Sequence, residues 1–220
     1  MGLVSQLRAS ISTRFDIPSG ILPREHHTKL PTGIRAIDKL TSGGIARGTL
    51  TEICGPVSSG RTAILFSLLA QATGRGECCA FIDATGSFDP LSATQAGADL
   101  DRILWINCAG KTEHALKATD LIIQAGGFGL VILDLADTPD REAARIPLAS
   151  WFRLRHAAER NSTALLLAET RINARSCSTV QIELHRKRPL WNGRLLRGLL
   201  AGAESRKHYQ ALTAEFEAVR

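Results

Sequence analysis

The chain reads as an α/β protein: a mostly parallel sheet covered by helices on both faces and closed at one edge by antiparallel C-terminal strands. Three observations predict this. From residue 49 onward, short continuous apolar runs alternate with helical stretches, the pattern of strands buried on both faces. Between the first such run and the first such helix stands the octet Gly55-Pro-Val-Ser-Ser-Gly-Arg-Thr62, at the place a phosphate-binding loop occupies. Past residue 178 the helical period stops, and strand-like runs separated by turn residues remain.

Each element follows in order. Residues 1–15 (MGLVSQLRASISTRF) alternate polar and apolar positions and predict a short amphipathic helix. Residues 18–31 carry three prolines and predict an extended arm. Residues 49–54 (TLTEIC) form a β-prone run and residues 63–72 (AILFSLLAQA) an apolar helix. Residues 77–83 (ECCAFID) predict a second strand. Residues 89–97 predict a short helix opened by Asp89-Pro90, since proline suits the first turn. ILWIN, residues 103–107, is a third strand, and residues 112–125 form an amphipathic helix stopped by Gly126-Gly127. LVIL at 130–133 leads into Asp134. A helix over 141–160 is interrupted near Pro147, and TALLLA at 163–168 is another buried strand. These elements divide the chain into an N-terminal helix and arm (1–31), a core (32–205) and a C-terminal tail (206–220).

The octet carries the chemistry. In G-x-x-x-x-G-K-[ST], glycines let main-chain N–H groups curl around phosphates, the lysine reaches the β- and γ-phosphates, and the final hydroxyl ligates Mg²⁺. Gly55, Gly60 and Thr62 are in place, while Arg61 replaces the lysine. Arginine keeps the charge but is planar, forked and larger than an ammonium group. Gly55, Pro56, Ser58, Ser59, Gly60, Arg61 and Thr62 are therefore the candidate ATP-binding residues. Asp134 ends an apolar strand, where a carboxylate can hold Mg²⁺ or its water; with Thr62 it forms the candidate metal pair. An aspartate capping the next helix would read the same way.

Net charge is +6, and the surplus is local: from Ser150 onward there are 13 Lys/Arg against six Asp/Glu. Arg186, Lys187 and Arg188, followed by Trp191, Arg194 and Arg197, place cations around an aromatic. Such a set can grip phosphates and stack a base of single-stranded DNA; a solvated hairpin or a dock for an acidic partner has the same composition. No apolar stretch reaches the roughly 18 residues of a membrane span, and the N-terminus lacks a secretory pattern. Cys54, Cys78, Cys79, Cys108 and Cys177 have no metal-ligand spacing and read as core residues of a reduced, cytoplasmic protein.

Residues 30–62 and 77–105 resemble the RecA/Rad51 recombinase core, through Thr32, Gly33, Asp38, Leu40, Gly43 and Gly44 and through Phe81–Ala84, Asp89 and Pro90. The resemblance covers residues 30–205 and implies a P-loop RecA-like fold that binds ATP and Mg²⁺, with Asp89 against the adenine and Asp134 as the second acidic motif. It also exposes departures. Thr85 stands where the family carries its catalytic glutamate, Ser92 replaces the aromatic that stacks on adenine, and Glu169-Thr170-Arg171 replaces the γ-phosphate-sensing glutamine. Both DNA-binding loops look short. The set is similar to short diverged RecA-like proteins of the ImuA type. That implies a DNA repair or recombination accessory protein of the SOS or translesion mutagenesis kind, with a degenerate ATP site. Its implied partners are a RecA-type recombinase, a Y-family polymerase-like protein, or further copies of itself. The alternative is an active DNA-dependent ATPase recombinase with a rearranged site, in which Glu52 or Glu169 supplies the missing carboxylate.

Overall fold

The computed structural model describes residues 2–14, 29–206 and 212–219. In chain order the elements are α1 (Leu3–Arg14), β1 (Lys29–Leu30), α2 (Arg35–Leu40), β2 (Ile45–Ala46), β3 (Leu50–Cys54), α3 (Arg61–Thr73), β4 (Cys79–Asp83), α4 (Pro90–Gln95) and β5 (Ile103–Asn107). They continue with α5 (Thr112–Ala125), β6 (Leu130–Asp134), α6 (Asp140–Ala143), α7 (Leu148–Asn161), β7 (Ala164–Glu169), β8 (Val180–Asn192), β9 (Leu195–Ser205) and β10 (Leu212–Val219). Eight strands form one sheet in the order β10-β9-β8-β3-β7-β6-β4-β5. The five pairings from β8 to β5 are parallel, and β9 and β10 are antiparallel additions at one edge.

Strand alternation assigns each side chain to one of two cores. On β7, Ala164, Leu166 and Ala168 join the cluster under α3, while Leu165 and Leu167 join the cluster under α5 and α7. On β6, Leu130 and Ile132 face α3, and Val131 and Leu133 face the other way. A strand apolar at every position is therefore buried on both faces, as the sequence predicts. Trp151, fully buried on α7, anchors the second core. Helix α1 joins it through Ile11, 6% exposed, with Leu7 packed alongside.

The Thr-Gly…Asp lead-in is a local clamp. Thr32 donates to Asp38 Oδ1 from its main-chain N (2.7 Å) and its hydroxyl (2.8 Å), and Ser67 Oγ on α3 donates to Thr32 O (2.7 Å). The break before α7 falls at Pro147, its N-cap.

Two expectations need amending. Most of the arm at 18–31 lies outside the described residues; its last two residues before Pro31 form β1, paired with β2. The segment read as a tail contains β10, paired with β9 from Leu212↔Ser205 to Val219↔Gly198. Its alternation (LTAEFEAV) is a strand pattern, and Phe216 and Ala218 are buried in the α3-side core. A single short alternating run that also carries two glutamates is too weak a signal to separate from a tail. Replacing Phe216 by alanine is expected to cost about 3–5 kcal/mol of stability, the usual loss for a buried aromatic. Urea denaturation measures this, and a midpoint within error of wild type would show that β10 is not part of the core.

Candidate functional site

Strand β3 runs into a loop, residues 55–60, that turns directly into α3. Gly60 precedes the helix with φ 91°, a left-handed conformation that favours glycine. A Cβ there would also lie 2.8 Å from the Phe216 ring. Gly55 is required by proximity: a Cβ on it would stand 2.7 Å from Leu184 O of β8 and 2.8 Å from Ser59 Oγ. The loop is thus pressed between α3 and the adjacent strand, with its crest (Pro56, Val57, Ser58) exposed and Thr62 exposed on the first turn of α3. The α3 N-terminus presents unpaired N–H groups to this edge of the sheet.

Arg61 does not point outward. Its Nη1 donates to Gly55 O and, at 3.1 Å, to Glu169 O at the end of β7; the residue is 9% exposed. Gly55 N donates to the same Glu169 carbonyl at 3.2 Å. The guanidinium therefore staples the loop to β7. Hydrogen bonds from a charged donor contribute about 1.5–3 kcal/mol each, which offsets the cost of taking the cation out of water.

Register decides which carboxylates can share the loop's side of the sheet. Asp83 and Asp134 are directly paired across β4 and β6. By alternation both fall on the α3 side, with Phe81 and Ile132. Asp134 is buried, accepts from Ala136 N at 3.0 Å, and feels the Arg61 charge. Burial pushes its pKa up to about 6, the Ala136 N–H and Arg61 acting against that rise and Asp83 and Asp137 adding to it. Asp83 is already saturated. Its Oδ1 accepts the N–H groups of Thr85, Gly86 and Ser87 (3.2, 2.7 and 3.1 Å), and its Oδ2 those of Phe88 (2.9 Å) and the Trp105 indole (3.2 Å). A carboxylate has about four lone-pair sites, so Asp83 shapes the loop that holds Thr85 and has none left for a water. Between residues 84 and 88 no side chain is acidic.

Glu52 and Glu169 lie on the opposite face, because β3 and β7 place residues 52 and 169 out of phase with Ile53 and Ala168. Glu52 is fully buried. It accepts from Asn173 N (2.6 Å), Ala174 N (2.9 Å), Ser178 Oγ (3.1 Å) and Gln181 Nε2 (3.1 Å). It holds the short connection from β7 to β8, and the idea that it supplies a carboxylate to the loop does not survive this geometry. Glu169 is 1% exposed; Asn173 Nδ2 donates to its Oε2 at 2.9 Å, and its Oε1 has no hydrogen-bond partner among the described residues. Burial pushes its pKa up to about 8, with the Glu52 charge adding to the rise. Cys54, beside the loop, is pushed up to about 12 by burial and nearby carboxylates, which excludes a thiolate there. All five cysteines are buried, and none is in a disulfide.

The remaining predicted residues are dispersed. Asp89 is the exposed N-cap of α4, its carboxylate accepting Leu91 N and Ser92 N, both at 3.2 Å, and the Ser92 hydroxyl. Those bonds, the Ser92 hydroxyl first, hold its pKa below the ordinary carboxylate value. The basic cluster is split along the β8–β9 hairpin. β8 pairs with β3 only as far as Cys54↔Glu183. Beyond it β8 runs past the loop paired with β9, which is itself paired with β10 as far as Gly198↔Val219, so that only residues 191–197 form a two-stranded ribbon. A register shift between Arg186 and Arg188 sends the cations different ways. Arg186 lines a cleft of about 640 Å³ with His185, Thr170, Pro56 and Val57. Lys187 Nζ is 3.8 Å from Glu215. Arg188, Arg194 and Arg197 are exposed, beside Trp191 (60% exposed), Leu195 (76%) and Leu196 (50%). Sequence reasoning did not find the organising roles of Asp83 and Asn173; the signal for Asp83 was the Thr-Gly-Ser run after it, which favours turns accepting from an aspartate.

An α/β sheet with a glycine loop feeding a helix at the C-terminal edge of its parallel strands defines the class. Residues 21–184 match the RecA N-terminal domain. RecA of Rickettsia bellii is 33% identical over 186 residues, covering 81% of this chain and 52% of that protein. RecA of Methylococcus capsulatus is 39% identical over 116 residues, 51% of this chain and 33% of that one. The chain belongs to the RecA family, and it spans about half the length of the curated relatives it matches. Among the described residues no helix is long and apolar enough to cross a membrane.

The buried Glu169 carboxyl predicts a pH signature. A carboxyl whose folded pKa lies above its ordinary value of 4.5 holds its proton more tightly when folded, so stability falls as pH rises from there to about 8. Asp134 adds a similar fall that ends near pH 6. Between pH 6 and 8 the unfolding free energy of wild type is expected to drop more steeply than that of Glu169→Gln; parallel slopes in denaturant titrations would refute the raised pKa.

Proposed function

We propose that this protein is a RecA-like DNA repair and recombination accessory protein, of the SOS or translesion mutagenesis type, whose nucleotide site binds ATP and Mg²⁺ with little or no hydrolysis. The observation that carries the reading is the occupancy of the family's catalytic positions. Thr85 stands at the glutamate position, no carboxylate lines the cleft beside the loop among the described residues, and the cation of the loop is turned inward. Positioned general acid–base groups contribute about 10²–10⁴-fold, so their loss removes most turnover while leaving phosphate binding possible.

The residues fit a phosphate group. Ser59 Oγ is buried in the loop without a hydrogen-bond partner among the described residues, and the α3 N-terminus faces the same place. Gly55, Pro56, Ser58, Ser59, Gly60, the main chain of Arg61, and Thr62 would surround the phosphates, Thr62 and Asp134 would hold Mg²⁺, and the exposed Asp89 would serve the base. Bound Mg²⁺ would neutralise phosphate charge. Single-stranded DNA would follow the ribbon, with Arg188, Arg194 and Arg197 on phosphates and Trp191 stacking. Protein partners would be a RecA-type recombinase, a Y-family polymerase-like protein, or further copies of this chain.

Two measurements test it. Titration with ATP and Mg²⁺ is expected to show binding, with phosphate release in the presence of single-stranded DNA at least 10²-fold below a RecA assayed in parallel. Turnover equal to that RecA, lost in Asp134→Ala, would establish the active recombinase instead. For the ribbon, joint reversal of Arg188, Arg194 and Arg197 to glutamate is expected to remove salt-sensitive DNA binding. The slope of log K against log salt is expected to fall by about 0.7 for every phosphate the variant no longer neutralises. An unchanged slope would remove DNA from the proposal.

A further inference from the structure

We infer that Arg186, on β8, supplies the cation that contacts the polyphosphate of a nucleotide held by the Gly55–Thr62 loop, a role that Arg61 has left. The inference rests on the nucleotide reading above and adds the residue that reads the charge. Three features carry it. The main-chain carbonyls of Gly55 and Glu169 take the Arg61 guanidinium, so the loop's own cation is already committed. Arg186 lines the same cleft as Pro56 and Val57, the exposed crest of the loop. Among the described residues Arg186 has no side-chain hydrogen bond or ion pair, whereas its basic neighbours are committed: Lys187 to Glu215, Arg206 to Glu183, and His185 Nε2 at 4.0 Å from Glu204.

The placement follows from the strand geometry. Leu184 is buried on the α3 side of the sheet and its carbonyl backs directly onto Gly55. Arg186 is the next residue in phase with Leu184, and so emerges on the loop side just where β3 has ended. The register shift that follows prevents Arg188 from repeating that direction. A guanidinium presented this way can bond two oxygens of one phosphate. The buried, unpartnered Ser59 hydroxyl inside the loop is a second, independent sign that an oxygen-rich ligand belongs there. The ligand class is a nucleoside di- or triphosphate.

The experiment is calorimetric titration of the full chain with ATP–Mg²⁺ and, separately, with a single-stranded oligonucleotide, at two salt concentrations. Arg186→Ala is expected to weaken ATP about ten- to hundredfold, from the removal of a charged hydrogen-bonding group, and Arg186→Lys to recover part of it. Lys117→Ala, the same charge change on the distant α5, is expected to bind as wild type. Oligonucleotide affinity without nucleotide is expected to change by no more than one phosphate interaction. ATP bound equally by wild type and Arg186→Ala would overturn the inference while leaving the nucleotide reading intact. Loss of oligonucleotide binding with intact ATP affinity would overturn it in favour of DNA phosphate. Absence of ATP binding by wild type would overturn both. Unchanged thermal melting of Arg186→Ala, an exposed residue, separates a binding effect from misfolding.

Discussion

The inward turn of Arg61 sets the state of everything around it. One guanidinium ties Gly55, the first residue of the loop, to Glu169, the last residue of β7, and so locks the loop to the sheet. Its charge also lies close enough to Asp134 to oppose the rise in that carboxyl's pKa. An ammonium group is compact and strongly hydrated, and its flexible stem reaches outward easily. The forked guanidinium is more weakly hydrated and matches two carbonyls at once, so burial against main-chain oxygen suits it better. Arg61 is thus a structural group that holds the loop to the sheet.

Around that staple the buried carboxylates divide by face. On the α3 side, Asp83 folds the loop after β4 and Asp134 is left as the acidic group nearest the phosphate loop. On the opposite side, Glu52 and Glu169 with Asn173, Ser178 and Gln181 form a polar network that closes the short connection between two parallel strands. Buried charge costs too much to be left unpaired, so the number of donors around each group indicates its role. Asp83 and Glu52 have theirs filled and are structural. Asp134 has one backbone donor and is the group with capacity remaining.

The C-terminal strands connect this site to the surface. β10 and β9 extend the core beneath α3 and pack Phe216 against Gly60, the loop's last residue. The ribbon made by β8 and β9 then carries cations and an exposed tryptophan beyond the sheet. The glycine loop and the basic hairpin therefore meet at β8, whose Leu184 carbonyl backs onto Gly55.

Much was legible in the residues themselves. The α/β class, the order of elements from β3 to β7 and the glycine loop follow from local patterns: continuous apolar runs, a glycine octet and proline breaks. These are near-neighbour properties, and local sterics and burial decide them. Only the tertiary structure settled three things. The direction of Arg61 depends on a carbonyl 108 residues away. The placement of Glu52 and Glu169 on the face away from α3 depends on sheet phase, since one residue of alternation moves a side chain to the other face. The division of Arg186, Lys187 and Arg188 depends on a bulge whose register is set by the partner strand. In each case the deciding interaction joins segments distant in sequence, and the composition of either segment alone does not contain it.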